Sequence, residues 1–227
     1  MTFPAATPTA LRGRVIALMG AESTGKTELA KALACALDAR GTPCTLVTEY
    51  LREWCEREGR VPRPDEQLAI VAEQARRIAT AALQGDVIAD TTSLMTAIYS
   101  DLLFGDASLY PQALATQRTY AVTLVTALDV PRVADGLQRD GPHLREPVDA
   151  LVRSALARGE VVYSVVYGTG EQRLTNALTA IDALLYRAPP TPDRSEPTSE
   201  SHSWHCDRCS DPACERRLFS DLIGRRR

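Results

Sequence analysis

The chain has 227 residues, 44% of them apolar and 24% charged, with a net charge of −3. That length suits one well-buried α/β domain with a small appendage and is too short for two full enzyme domains. The slightly negative balance gives no basic footprint for nucleic acid or an anionic membrane across the whole surface.

No apolar run approaches the roughly 20 residues of a membrane-spanning helix. Residues 1–13 carry neither the basic nor the apolar region of a secretory signal. A cytoplasmic location is expected, where the six cysteines would be reduced, metal-bound or reactive and not held in structural disulfides.

In chain order, the apolar run Val15-Ile16-Ala17-Leu18-Met19 leads directly into Gly20-Ala21-Glu22-Ser23-Thr24-Gly25-Lys26-Thr27. This is a P-loop pattern in the strand–loop–helix setting that the motif requires. Gly20 and Gly25 let the backbone wrap round a polyphosphate so that its N–H groups point at the oxygens, and the following helix adds the positive end of its dipole. Glu22, Ser23 and Thr24 complete the expected cradle. Lys26 would reach the β- and γ-phosphates, and the Thr27 hydroxyl would be a ligand to Mg²⁺.

Leu29, Leu33 and Leu37 then recur every four residues, predicting a helix packed on a sheet. Residues 44–48 read as a second strand, followed by Glu49-Tyr50-Leu51-Arg52-Glu53. Pro62 and Pro64 break the chain before a helix over 65–83, whose inner face reads as Leu68, Val71, Ala72, Ala75, Ile78, Ala79 and Ala82. Residues 86–90 are a third strand ending on Asp90, with a helix over 93–104 after it. A fourth strand over 121–126 is separated by a polar segment, 129–147, from a helix over 148–156. Residues 161–166 are the fifth strand, and Thr169 with Gln172 fits a capping box opening a helix over 171–186.

Strands alternating with helices predict an α/β three-layer sandwich, with a five-stranded parallel sheet between helices. Ligands in such folds bind beyond the carboxyl ends of the strands. The P-loop, Glu49, Asp90, the 129–147 segment and Tyr167-Gly168 therefore converge on one crevice.

Asp90 stands where a P-loop protein keeps the carboxylate that holds Mg²⁺. The next residue is Thr91 and not a glutamate, which favours transfer to a bound acceptor over bulk hydrolysis. No Asn-Lys-x-Asp sequence occurs, so ATP is the expected donor. Glu49 is placed to orient or deprotonate an acceptor hydroxyl, with Arg52 holding that carboxylate or binding substrate; a salt-bridged helix start is the rival reading. The glycines and arginines of residues 135–145, Arg139 and Arg145 among them, suit a lid closing over the transferring phosphate. A solvated surface loop is the alternative there.

In this order, these elements resemble the kinase domain of the NadR-type nicotinamide riboside kinases, an AAA-like P-loop family. The resemblance rests on the P-loop with its Glu22, Glu49-Tyr50-Leu51-Arg52-Glu53, the Gln74 region, Asp90-Thr91, and Val133-Ala134-Asp135-Gly136-Leu137 with the arginines after it. It covers roughly residues 14–186. It implies ATP-dependent phosphorylation of the ribose 5′-hydroxyl of nicotinamide riboside, giving nicotinamide mononucleotide for NAD synthesis. It also implies that Tyr167-Gly168 and the turn after it line the adenine site, and that Glu49, Tyr50, Arg52, Trp54 and Asp135 face the substrate. The chain departs from the family at Arg132, where a Trp suited to stacking on the nicotinamide ring is common. Trp54, Tyr50 or Tyr99 would then supply the aromatic face, or the substrate differs.

Residues 188–203 are rich in Pro, Ser, Thr and Glu and read as a disordered linker joining the 14–187 kinase domain to a tail over 204–227. In that tail Cys206 and Cys209 have C-x-x-C spacing, with Cys214 as a third ligand and His202 or His205 as a fourth for Zn²⁺. An iron–sulfur site, a redox pair and an unstructured tail compete with that reading. The tail has six arginines against three aspartates and one glutamate, the one region where an acidic partner is arguable.

The expected function is an ATP-dependent small-molecule kinase. The alternatives are a kinase for another nucleoside or metabolite, or a nucleotide-dependent switch that uses the tail to contact a partner. Catalysis is assigned to Lys26, Glu49, Asp90, Arg139 and Arg145.

Overall fold

The computed structural model describes residues 13–131 and 144–185. Five parallel strands, β1 (Val15–Met19), β2 (Cys44–Val47), β3 (Asp86–Asp90), β4 (Val122–Thr126) and β5 (Ser164–Val166), form one sheet in the order β2-β3-β1-β4-β5. β1 lies at the centre. Its register sets Leu18 opposite Asp90 on one side and opposite Leu124 on the other. All five residues of β1 are buried, as expected for a strand covered on both faces.

Among the described residues there are seven α-helices: α1 (Lys26–Ala39), α2 (Tyr50–Glu58), α3 (Gln67–Ala82), α4 (Ser93–Phe104), α5 (Tyr110–Gln117), α6 (Arg145–Arg158) and α7 (Gly170–Leu185). A core under α1 and α7 gathers Leu18, Leu29, Leu33, Leu37, Ile88 and Ile181, and the opposite core is built on Met19, Leu94, Ile98, Val125, Val152 and Leu156. Burying a leucine or isoleucine side chain of this kind stabilises the fold by about 1.5–3 kcal/mol. The three-layer architecture thus follows from apolar strands and from helices that bury an apolar face, with α4 buried nearly all round from Ser93 to Ile98.

The structure differs from the sequence reading in six places. α2 and α5 are additional helices. A short 3₁₀ turn, Pro64–Glu66, precedes α3, because Pro64 fits the first turn of a helix but not its interior. The inner face of α3 is Gln67, Ile70, Val71, Gln74, Ile78 and Ala82, whereas Leu68 is 42% exposed; two buried glutamines displace the purely apolar stripe. α6 starts three residues earlier than expected, so Arg145 is its first residue and not part of the preceding loop. Finally, β5 pairs only over Ser164–Val166; Val161 and Tyr163 pack against the core cluster beneath α4 and α6 instead.

Candidate active site

The P-loop connects β1 to α1 at the carboxyl edge of the sheet. Gly20 has φ +141, and a Cβ there would lie 2.2 Å from Thr126 Oγ1, so only glycine allows the loop to pass so close to β4. Gly25, at φ +73, precedes the first turn of α1. Thr24 is fully buried; its hydroxyl donates to the Ala21 carbonyl at 2.7 Å and shares a 2.7 Å hydrogen bond with Thr126 Oγ1. The Thr24 side chain therefore fixes the loop from beneath and leaves its backbone to meet a phosphate.

Lys26 Nζ donates to the carbonyls of Gly20 at 3.0 Å and Ala21 at 2.8 Å. Burial lowers its pKa below the usual lysine value, while the negative charges of Glu49, Asp90 and Glu22 pull the other way. Lysine and carboxylates from three different strand ends thus sense one another across the crevice.

Glu49 closes β2 and stands immediately before α2. Its side chain is mostly buried and accepts from Arg52 Nε at 3.4 Å. Burial raises its pKa above the ordinary carboxylate value, against the opposing charges of Lys26 and Arg52, and Asp90 adds to the rise. The flanking backbone is held by Gln74, which accepts from the Tyr50 N–H at 2.7 Å and donates to the carbonyls of Thr48 and Thr91 at 3.3 and 3.4 Å. One buried amide thereby ties the end of β2 to the end of β3.

Asp90 is buried, and its Oδ1 has no hydrogen-bond partner among the described residues. An orphaned carboxylate oxygen next to a P-loop lysine suits a hydrated or direct cation contact. Thr27, part-buried on the first turn of α1, carries the hydroxyl that nucleotide-binding proteins pair with such a carboxylate, and the two side chains fit Mg²⁺ in kind. Thr91, at φ +77, carries a left-handed backbone that costs a non-glycine residue about 1–3 kcal/mol. It sits between Asp90 and the α4 cap, Thr92.

Arg145 donates from Nη2 to the Val130 carbonyl at 2.7 Å and comes within 3.5 Å of the Ser23 carbonyl. It is thereby drawn to the P-loop. Tyr167 is 56% exposed. Gly168 donates its N–H to Asp129 Oδ2 at 2.6 Å, and its carbonyl accepts from Arg173 at 2.7 Å. An open groove of about 920 Å³ runs from the P-loop along α1 to the start of α7. The residues after the Tyr167-Gly168 pair, Thr169, Gly170, Glu171 and Leu174, form its far wall.

Of the aromatic candidates, Trp54 is 9% exposed and packed with Leu51, Cys55 and Ile70, with the Arg60 guanidinium 4.8 Å from its ring centre. Trp54 is a core residue, which corrects its assignment to the substrate. Arg77 stands 4.3 Å over the Tyr50 ring, and Tyr99 packs against the core beneath α4. Arg132, Asp135, Arg139, the linker and the tail cysteines with His202 and His205 lie outside the described residues. Among the described residues no group of three or more His, Cys, Asp or Glu is arranged for a metal, Cys35, Cys44 and Cys55 are not in disulfides, and no helix is long and apolar enough to cross a membrane.

Three residues that sequence reasoning missed complete the site. Arg173 and Asp129 form an ion pair at 3.0 Å, and Thr126 supports the P-loop from below. Nothing in their spacing announces them, since all three act on loops distant in the chain.

A central strand feeding a P-loop, with an acidic strand end beside it in a 2-3-1-4-5 parallel sheet, defines a P-loop kinase-like fold. The sequence matches the AAA domain family over residues 15–173, and the chain belongs to that family. Among solved structures it is similar to NadR protein in complex with NAD and AMP-PNP, at 21% identity and a TM-score of 0.62, with 77% of this chain and 50% of that one covered. NadR protein in complex with NR gives 25% identity, a TM-score of 0.56 and coverage of 76% and 50%. A thymidylate kinase from Ehrlichia chaffeensis gives 16% identity and a TM-score of 0.53 over 76% of this chain and 98% of that one. The chain thus spans about half the length of the NadR structures. No curated protein matches it in sequence.

Proposed function

We propose that the protein is an ATP-dependent kinase that phosphorylates a small hydroxylated acceptor, with nicotinamide riboside as the first candidate. The observation that carries the reading is the meeting of Lys26, Glu49 and Asp90, from three strand ends, in one electrostatically coupled group. The NadR complexes with NAD, AMP-PNP and NR support the choice of acceptor.

In this reading the P-loop N–H groups and Lys26 hold the phosphates in the groove between α1 and α7. Lys26 leaves the Gly20 and Ala21 carbonyls to meet the transferring phosphoryl group, which moves as a loose, in-line species stabilised mainly by positioned charge. Glu49 accepts the acceptor hydroxyl proton, its raised pKa bringing its basicity closer to the task. Arg52 orients that carboxylate. Arg145 holds the entrance beside Ser23, and Arg139, six residues earlier in the sequence, adds a second positive charge. Thr27 and Asp90 would hold Mg²⁺, which neutralises charge on the β- and γ-phosphates when bound. Product release to NAD synthesis, a cytoplasmic setting and a zinc-binding tail through Cys206, Cys209 and Cys214 with His202 or His205 complete the proposal.

A second acceptor class is favoured by one observation. Trp54 is buried and Arg77 covers the Tyr50 ring, so neither presents the open aromatic face a nicotinamide ring would use, and another nucleoside remains in contention. ADP release by the purified chain with Mg-ATP, over a panel of ribosides, separates these. Turnover with nicotinamide riboside alone supports the first reading, turnover with another nucleoside the second, and ATP binding without any turnover overturns both.

A further inference from the structure

The guanidinium of Arg173 does more than pair with Asp129. It is 6% exposed and lies in the first turn of α7. Its Nη1 donates to Asp129 Oδ1 at 3.0 Å and to the Gly168 carbonyl at 2.7 Å, while its Nη2 donates to the Thr24 carbonyl at 2.9 Å. Asp129 closes the ring by accepting the Gly168 N–H on its other oxygen. One planar fork therefore ties together the P-loop, the exit of β4 and the β5–α7 turn, a geometry that a lysine's single ammonium cannot reproduce.

All three loops line the groove, and two of them are its ends. The P-loop is the phosphate end, and residues 169–174 are the far wall. The P-loop has a separate anchor, because Thr24 Oγ1 donates to the Ala21 carbonyl and accepts the single Thr126 hydroxyl proton, for which the Met19 carbonyl at 3.2 Å is the alternative acceptor. The β5–α7 turn leans on the Arg173–Asp129 pair for both polar groups of Gly168.

We infer that Arg173, through Asp129, is a positioning residue that sets the span between the phosphate cradle and the wall facing the nucleoside part of the donor. The inference rests on the proposed nucleotide-binding reading. It predicts a split between ligands. A nucleotide must touch both ends of the groove, whereas a bare triphosphate touches only the cradle.

The test is calorimetric titration of the full chain with Mg-ATP and, separately, with Mg-tripolyphosphate, for the unaltered protein, for Arg173→Lys and for the charge-neutral double variant Asp129→Asn with Arg173→Gln. The double variant leaves no buried charge unpaired, so it keeps the test open where the single variant folds poorly. Both variants are expected to weaken ATP about tenfold, the scale of one lost charge-assisted contact. Tripolyphosphate affinity is expected to stay unchanged, and in turnover the KM for ATP should rise with kcat retained. Equal weakening of both ligands, or no weakening of ATP, overturns the inference while leaving nucleotide binding intact. Binding of neither ligand by the unaltered protein overturns the nucleotide reading, and the inference with it.

Discussion

The two sides of the crevice treat their polar groups differently. On the side formed by β1, β4 and α7, nearly every loop group is tied to the protein itself: Thr24 to Thr126, Gly168 to Asp129, and three loops to Arg173. On the side formed by β2 and β3, Asp90 Oδ1 and Thr91 Oγ1 are buried with no hydrogen-bond partner among the described residues, and Glu49 is held where burial disfavours its charge. Buried polar groups without partners are costly. On the opposite wall Arg145 Nε and Arg173 Nε also lack partners among the described residues, but the groups left over beside β2 and β3 are a carboxylate and a hydroxyl oxygen, the kind that a ligand or ion completes, and the better-tied wall is the frame against which it is placed.

Substitutions on the two walls should therefore fail in different ways. Lys26→Ala, which removes the charge shared by both walls, is expected to lower kcat/KM about 10³-fold in an ADP-release assay, with the fold intact. Glu49→Gln should lower transfer about 10²-fold while ATP affinity, measured by titration, stays within error. A parallel loss of ATP affinity would place Glu49 on the wrong wall.

Glu49 also gives the contrast a pH signature. Because its folded pKa is raised, the folded protein holds that proton more tightly than the unfolded chain does. Its contribution favours folding fully below about pH 4.5 and is lost as pH rises through the raised folded value. The same ionisation creates the base, so kcat/KM should climb with pH over that window, and the climb should vanish in the Gln variant. Asp90→Asn is expected to raise the Mg²⁺ concentration for half-maximal activity about tenfold, read from a magnesium titration at saturating ATP.

The frame should answer in stability. Gly20→Ala drives a methyl group into Thr126 Oγ1 and is expected to cost about 1–3 kcal/mol in denaturant unfolding. The smallest effect is reserved for Trp54→Phe, about 1 kcal/mol of stability with an unchanged KM for the acceptor. A large rise in that KM would return Trp54 to the substrate side.

The satisfied wall was the less legible of the two. The strands and the P-loop could be read because apolar runs and a glycine-lysine pattern are local features, and parallel pairing then brought Glu49 and Asp90 to one edge. Arg173, Asp129 and Thr126 could not be read, since each acts on backbone carbonyls or on a residue as much as 149 positions away. α2 was hidden because Tyr50–Glu58 is mostly polar and reads as a run of chemical residues, and α5 because eight residues starting Tyr110-Pro111 carry little periodicity. Gln74 disguised the inner face of α3 for a related reason. Its buried amide serves β2 and β3, and an apolar pattern has no place for it.

The central position of β1 has a kinetic corollary. Val15–Met19 are hydrogen-bonded strand residues flanked on both edges, so their amide protons should exchange with solvent only when the whole domain opens. The next residue is Gly20, where the ladder ends. The slowest-exchanging stretch of the chain is thus joined by a single peptide bond to the loop that must rearrange for every ligand, and deuterium uptake measured residue by residue should step sharply between Met19 and the P-loop.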